Sequence, residues 1–320
     1  MHRISRTPIV FLAFLLLFPT HGINGKTPKP SQAPAGPPVL WREPADIAAR
    51  NLYYGPGGEA HEPHGIFTFE REDMQGYSPK FDVLDEDGVR WRVKLGEEAR
   101  PETAASRLVW AVGYFANEDY FMPVLRLKSA PRLRRGREFL SPDGAVRNAR
   151  LKRRLEDETK IGEWKWDDNP FKGTREWNGL RVMMALLGNW DVKNANNSIY
   201  QVKGAHPEQR YVVSDLGATL GLPVYNYGER GDLRAYRASK WIGSSSPEFV
   251  SFRVTERFSP LHWTMQRIPV EDAKWVGGLL AKLSTDQIRD AFRAAAYSPA
   301  EVEGFTQVVR RRIADLENLP

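Results

Sequence analysis

Residues 89–95 read VRWRVKL, so Val89, Trp91, Val93 and Leu95 alternate with Arg90, Arg92 and Lys94. A period of two over seven residues describes a strand with one apolar and one basic face. A helix would scatter both sets around its circumference. The pattern therefore fixes a sheet here and sets Lys94 near the strand's end, facing away from the core side. The turn signal DEDG (85–88) precedes it, and IFTFE (66–70) and YSPKFDVLD (77–85) are two further strands. Pro101 suits a first helical position, and residues 102–115 place Ala105, Leu108, Val109 and Val112 on one stripe. A helix opening with Glu102 is expected.

YFMPVLRLK (120–128) has strand composition. The basic run 132–154 is expected to be a solvated loop and helix face. The Trp-rich segment 162–171 suits packing. In residues 174–189, Trp177, Leu180, Met184 and Leu187 recur at three- and four-residue spacing, which predicts a buried helix. It runs into GNWDVKNANNSIY (188–200), whose acid, lysine and asparagines gather at a helix end. NSIYQV and RYVVSDLG are strands of a hairpin, and three helical patterns follow, two with starts at Ser284 and Ser298. The order is a β-rich N-terminal part and a largely helical C-terminal part.

At 320 residues the chain has ample length for a buried core. Its net charge of +6 comes from 46 basic residues interspersed with 40 acids, so no nucleic-acid partner is expected. The chain has no cysteine, which excludes disulfides and a lipoprotein anchor. Arg3 and Arg6, then an apolar run from Ile9 to Phe18 and Pro19, form a secretory signal pattern. That run is half of the ~20 residues a membrane span needs, so residues 1–24 are expected to be a cleaved signal peptide that leaves no stable span. The protein would then be exported, periplasmic or extracellular, with an uncleaved anchor as the alternative. Residues 25–43 form a Pro-rich linker, and the folded part is expected from Pro44. His21, His61, His64, His206 and His262 make no H-E-x-x-H, and no G-x-S-x-G occurs.

Several polar residues stand at element ends: Lys94, Glu102, Asp191, Asn196 and Asp215. Phosphoryl transfer from ATP uses such a set. A lysine neutralises phosphates, a glutamate holds the lysine, an acid orients or deprotonates the hydroxyl, and Asn and Asp bind Mg²⁺.

NWDVKNAN matches the catalytic-loop spacing of protein kinases through Asp191, Lys193 and Asn196, SDLG stands where Asp-Phe-Gly would be, and WRVKLG where the strand lysine would be. In these motifs, from about residue 76 to 217, the chain resembles the protein-kinase-like superfamily. Within it, GYSPKFDVLDEDGVRWRVKL, ETAASRLVWAVGY and GNWDVKNANN resemble HipA-like kinases and their phosphoinositide 3-/4-kinase relatives. The resemblance implies an α+β, two-lobed kinase-like fold, with a β-rich N-lobe over 44–128 and a mainly helical C-lobe over 129–320. It further implies ATP and Mg²⁺ as cofactors, with Lys94 on the α/β-phosphates and Glu102 as its partner. Gly76, Ser78 and Lys80 would lie over the phosphates, Asp191 and Lys193 would serve catalysis, and Asn196 and Asp215 would bind metal. Three departures stand out. No G-x-G-x-x-G precedes Lys94; the short Lys94 to Glu102 interval leaves Glu97 and Glu98 as alternative partners; and Lys193 stands where HipA-like proteins usually have His. The acceptor is a hydroxyl on an unknown protein or small molecule, with protein Ser or Thr preferred. A nucleotide-binding module without turnover, or action on a lipid or sugar, are the alternatives.

Overall fold

The computed structural model describes residues 36–222, 229–253 and 262–320. The expected signal peptide and the linker as far as residue 35 lie outside them. The first half of the chain runs β1 (Pro38–Val39), β2 (Thr68–Asp73), β3 (Lys80–Leu84), β4 (Arg90–Leu95), α1 (Ala99–Ala111), β5 (Asp119–Arg126) and β6 (Ala145–Arg153). Five of these strands form an antiparallel sheet ordered β2-β3-β4-β6-β5. The basic run expected as loop and helix thus includes a sheet strand, because Val146, Ala149 and Leu151 supply buried apolar positions between its arginines. The sheet accordingly extends past residue 128, the expected end of the β-rich part.

The second half runs β7 (Glu158–Gly162), α2 (Arg175–Leu187), β8 (Asn197–Val202), β9 (Glu208–Val213), α3 (Leu233–Ala238), β10 (Ile242–Ser245), β11 (Phe249–Phe252), β12 (Ile268–Pro269), α4 (Val270–Ala281), α5 (Thr285–Arg293) and α6 (Pro299–Glu317). A sheet-rich N-terminal part and a helical C-terminal part make this the α+β class expected. Strand β1 runs parallel to β9 at the edge of a sheet ordered β1-β9-β8-β7. The segment expected as linker therefore holds a strand, with Leu40 buried.

The two faces of the five-stranded sheet differ in chemistry. Phe81, Val93 and Leu151 share one cross-strand row, and with Phe67, Val83, Trp91 and Leu125 they build an apolar core on one side. On the other side Lys80, Lys94 and Arg150 form one row and Asp82, Arg92 and Lys152 the next. The alternation seen in β4 is real, yet its basic face goes from exposed at Arg90 to buried at Lys94. Helix α1 packs across β5 and β6 and covers that side, and Lys94 is 2% exposed. The helix starts at Ala99, earlier than expected, with Glu98 as N-cap.

Helix α2 is buried from Trp177 to Leu187, as suits a helix packed against α4 and β12, with Arg312 of α6 donating to its Leu186 carbonyl at 2.7 Å. Thr174 caps its start by accepting from the Trp177 N–H at 3.2 Å. Its end is set by Gly188 at φ +65°, with the Asn189 N–H donating back to the Met184 carbonyl at 2.8 Å. This stop turns the chain sharply into residues 189–196. Among the described residues no helix is long and apolar enough to cross a membrane.

Candidate active site

Lys94 lies at the centre of the contacts between the sheet and the C-terminal part. Its Nζ is 2.9 Å from Glu102 Oε2, 2.6 Å from Glu98 Oε2 and 3.0 Å from Asp215 Oδ1. Glu102 projects from the first turns of α1 and is 1% exposed. Its other oxygen accepts from Arg150 NH2 at 2.6 Å, and Arg150 NH1 donates to Asp119 Oδ1 at 3.2 Å. A buried row of two cations from β4 and β6 is thus matched by carboxylates from α1, β5 and the loop after β9. Burial without such pairing would cost several kcal/mol per ion.

The charge states follow from this packing. Burial works to lower the Lys94 ammonium, but Glu102, Asp215 and Glu98 outweigh it and raise its pKa above the ordinary lysine range. Burial alone would raise Asp215, but Lys94 and the Gly217 N–H, 3.1 Å from Oδ1, hold it below the usual carboxylate range. Burial pushes the Glu102 carboxyl up, opposed by Arg150 and then Lys94. Lys80, opposite Lys94 in the register, is lowered by burial and by Lys94 itself.

The loop between β2 and β3 carries Gly76 and Ser78, and Lys80 opens β3. Arg135 pins this loop by donating to the carbonyls of Gly76 at 2.6 Å, Tyr77 at 3.2 Å and Asp73 at 2.8 Å. Gly76 has φ +70°, and a Cβ there would come within 3.2 Å of Lys80 Nζ, so the turn and the Lys80 ammonium lie together. Ser78 Oγ donates to Glu98 Oε2 at 2.7 Å.

The residues that follow the α2 stop join the same cluster through their backbone. The Asp215 N–H donates to the Asn196 carbonyl at 3.2 Å, and Asn196 Nδ2 donates to the Asp191 carbonyl at 2.5 Å. Contacts therefore run unbroken from Glu102 through Lys94, Asp215 and Asn196 to Asp191. Lys193 is the most solvated member, 65% exposed, with Nζ 2.8 Å from Asp191 Oδ1. Of the alternative lysine partners, Glu98 contacts Lys94 together with Glu102. Glu97 does not, being exposed and 3.8 Å from Arg230 NH1.

Among the described residues no group of three or more His, Asp or Glu is placed to hold a metal. Asn196 and Asp215 offer a smaller oxygen set. Because Asn196 spends its amide nitrogen on the Asp191 carbonyl, its side-chain oxygen is the atom suited to a cation. Two protein oxygens fit Mg²⁺, which keeps waters and takes phosphate oxygens for the rest of its shell. Arg150, Asp119 and Arg230 escaped sequence reading. Arg150 carries a usable signal in hindsight, since it sits between Ala149 and Leu151 in a two-residue alternation.

Beside Ser78 and Glu98 a cavity of about 710 Å³ opens, lined by Tyr77, Leu95, Glu97, Phe139, Arg230 and Asp232 among others. It adjoins the lysine cluster through Ser78 and Glu98.

No family model matches the chain, and no curated protein matches its sequence. Among solved structures it is similar to a Helicobacter pylori proinflammatory kinase, CtkA, at 12% identity over 80% of this chain and 97% of that one, with a TM-score of 0.47. A Golgi casein kinase with Mn/ADP bound is similar at 10% identity over 80% and 72%, TM-score 0.38. A second Golgi casein kinase structure gives 11% over 78% and 74%, TM-score 0.31. All three are kinases.

Proposed function

We propose that this protein is a kinase-like phosphotransferase that moves the γ-phosphoryl group of ATP to a hydroxyl acceptor, with a protein Ser or Thr side chain as the acceptor. The observation that carries the reading is the buried Lys94 bridge, with Glu102 on one side and Asp215 on the other. A lysine fixed by a helix glutamate beside a metal-type aspartate is the arrangement that phosphoryl transfer requires. In this reading Lys94 draws the α/β-phosphates, while Gly76, Ser78 and Lys80 cover them from the β2–β3 loop. The acceptor oxygen bonds to the γ-phosphorus as the bond to the β–γ bridging oxygen breaks, and ADP leaves. Asp191 orients the hydroxyl and takes its proton. Asn196 and Asp215 would hold Mg²⁺, which when bound neutralises charge building on the phosphate oxygens. The work would be done outside the cytoplasm if residues 1–24 act as an export signal.

The test is transfer of label from γ-labelled ATP to an acceptor library. Asp191→Ala is expected to lower transfer about 100- to 10,000-fold, the usual range for losing a positioned acid or base, and Asp215→Ala to lower it through loss of a group that would hold Mg²⁺. Unchanged labelling of every acceptor in both variants would sink the assignment. A second reading, a nucleotide-binding module without turnover, draws support from the Lys193–Asp191 ion pair, which occupies an oxygen that a base would use. ATP binding without transfer to any acceptor would favour it.

A further inference from the structure

The Glu98 carboxylate has unusual company. Its Oε2 is 2.6 Å from Lys94 Nζ and accepts from Ser78 Oγ at 2.7 Å, while Oε1 is 3.1 Å from Arg230 Nε. Those three groups come from three separate places: the strand lysine, the β2–β3 loop, and the segment after residue 229, where Arg230 Nε is buried and meets Glu98 as an ion pair without a hydrogen bond. Each is of a type that binds phosphoryl oxygens, arginine above all. The Glu98 side chain also lies against Gly217, where a Cβ would stand 2.6 Å from Glu98 Cβ and 3.0 Å from its Cδ. Glycine at 217 thus leaves room for the Glu98 side chain from its Cβ outward. Glu98 is not needed there to satisfy Lys94, which already has Glu102 and Asp215.

We infer that Lys94, Ser78 and Arg230 form an anion site for a phosphoryl group, and that Glu98 is a tethered anion that fills it until a phosphate displaces it. The inference rests on the phosphotransferase reading for the identity of the ligand and adds two residues to it, Arg230 as a phosphate ligand and Glu98 as its competitor. Two anions cannot share these donors, so a polyphosphate enters as the Glu98 carboxylate leaves. Arg230 stacks over the Trp190 ring at 5.0 Å, which holds its guanidinium in place when Glu98 departs. A site open for only a fraction of the time shows an affinity reduced by that fraction, so an occupant present nine-tenths of the time weakens binding about tenfold.

The experiment is calorimetric titration of the full chain with inorganic tripolyphosphate, with ATP with and without Mg²⁺, and with adenosine, for wild type, Glu98→Gln, Arg230→Gln and Arg230→Lys. Glu98→Gln is expected to tighten tripolyphosphate and ATP about tenfold and to leave adenosine unchanged. Arg230→Gln is expected to weaken both polyphosphates, with partial recovery in Arg230→Lys, and circular dichroism checks that each variant is folded. Tripolyphosphate tightened in Glu98→Gln with no ATP binding by any variant would leave the anion site standing and refute the phosphotransferase reading. ATP bound by wild type with neither polyphosphate changed in Glu98→Gln would refute the inference alone. Weaker Mg-ATP binding in Glu98→Gln would make Glu98 a metal ligand and also overturn it, as would an equal gain for adenosine.

Discussion

Glu102→Gln isolates the buried charge row, since it removes one charge and almost no volume. Glu102 is 1% exposed and takes Lys94 at 2.9 Å and Arg150 at 2.6 Å. Breaking a buried ion pair from one side costs about 3–5 kcal/mol, because the partner's charge stays buried. Here both cations keep another carboxylate: Lys94 has Glu98 and Asp215, and Arg150 has Asp119. Gln also retains an oxygen that can accept from Arg150. The loss should therefore fall at the lower end, about 3 kcal/mol. At about 2 °C per kcal/mol for a chain of this size, the melting temperature should drop by about 6 °C. Thermal unfolding followed by circular dichroism measures it, with Glu97→Gln as a control on an exposed neighbour expected within about 0.5 kcal/mol of wild type. A Glu102→Gln melting temperature matching that control would mean that the row does not depend on a charged Glu102, and the packing argument would be wrong.

Acid should weaken the neighbouring row. Burial opposes ionisation of Asp82, but hydrogen bonds from Arg92 and Arg71 prevail and bring its pKa from 3.8 down to about 2. A carboxyl depressed on folding binds fewer protons in the native state. Its contribution, about 2 kcal/mol, is therefore complete above pH 4 and is lost as pH falls towards 2. Urea unfolding between pH 5 and 2 should show that slope in wild type and a flatter one in Asp82→Asn, and equal slopes would count against the pairing. Ser284→Ala removes the acceptor for the Gln287 N–H at 3.1 Å in a complete capping box, and should cost about 1 kcal/mol in the same assay. No measurable loss would show that the α5 cap adds nothing to stability.

Local periodicity carried much of the secondary structure. The β4 alternation, the α2 stripe and the Ser284 and Ser298 helix starts depend on spacing alone, and each has its element in the structure. Long-range pairing was less legible. Pro38–Val39 joins β9 through residues about 170 positions away, and no local pattern in a proline-rich segment announces such a partner. The basic run around Arg150 was misjudged for a related reason. Basic residues at alternate positions, Arg150, Lys152 and Arg154, fit a solvated face unless something supplies countercharge, and for Arg150 it comes from Glu102 and Asp119, distant in sequence.

Lys94 shows where sequence reading stops. A period of two identifies two faces of a strand but cannot say which is covered, because cover is supplied by other elements. In this sheet both faces are covered, one by an apolar core and the other by α1 and the Asp215 loop. The charged face could be buried only because carboxylates arrive on it from elsewhere, at residues 98, 102, 119 and 215. Their number bears on function. Lys94 faces three carboxylates, more than one ammonium can balance, and Arg150 and Arg230 take up part of the excess. Two of those carboxylates are fixed, Glu102 by α1 and Arg150, and Asp215 by Lys94 and the Gly217 N–H. Glu98 stands at the N-cap of α1, and its side chain makes no capping hydrogen bond, so its departure breaks no hydrogen bond of the helix. The carboxylate that must leave for a phosphate to enter is thus one that α1 does not use for its own hydrogen bonding.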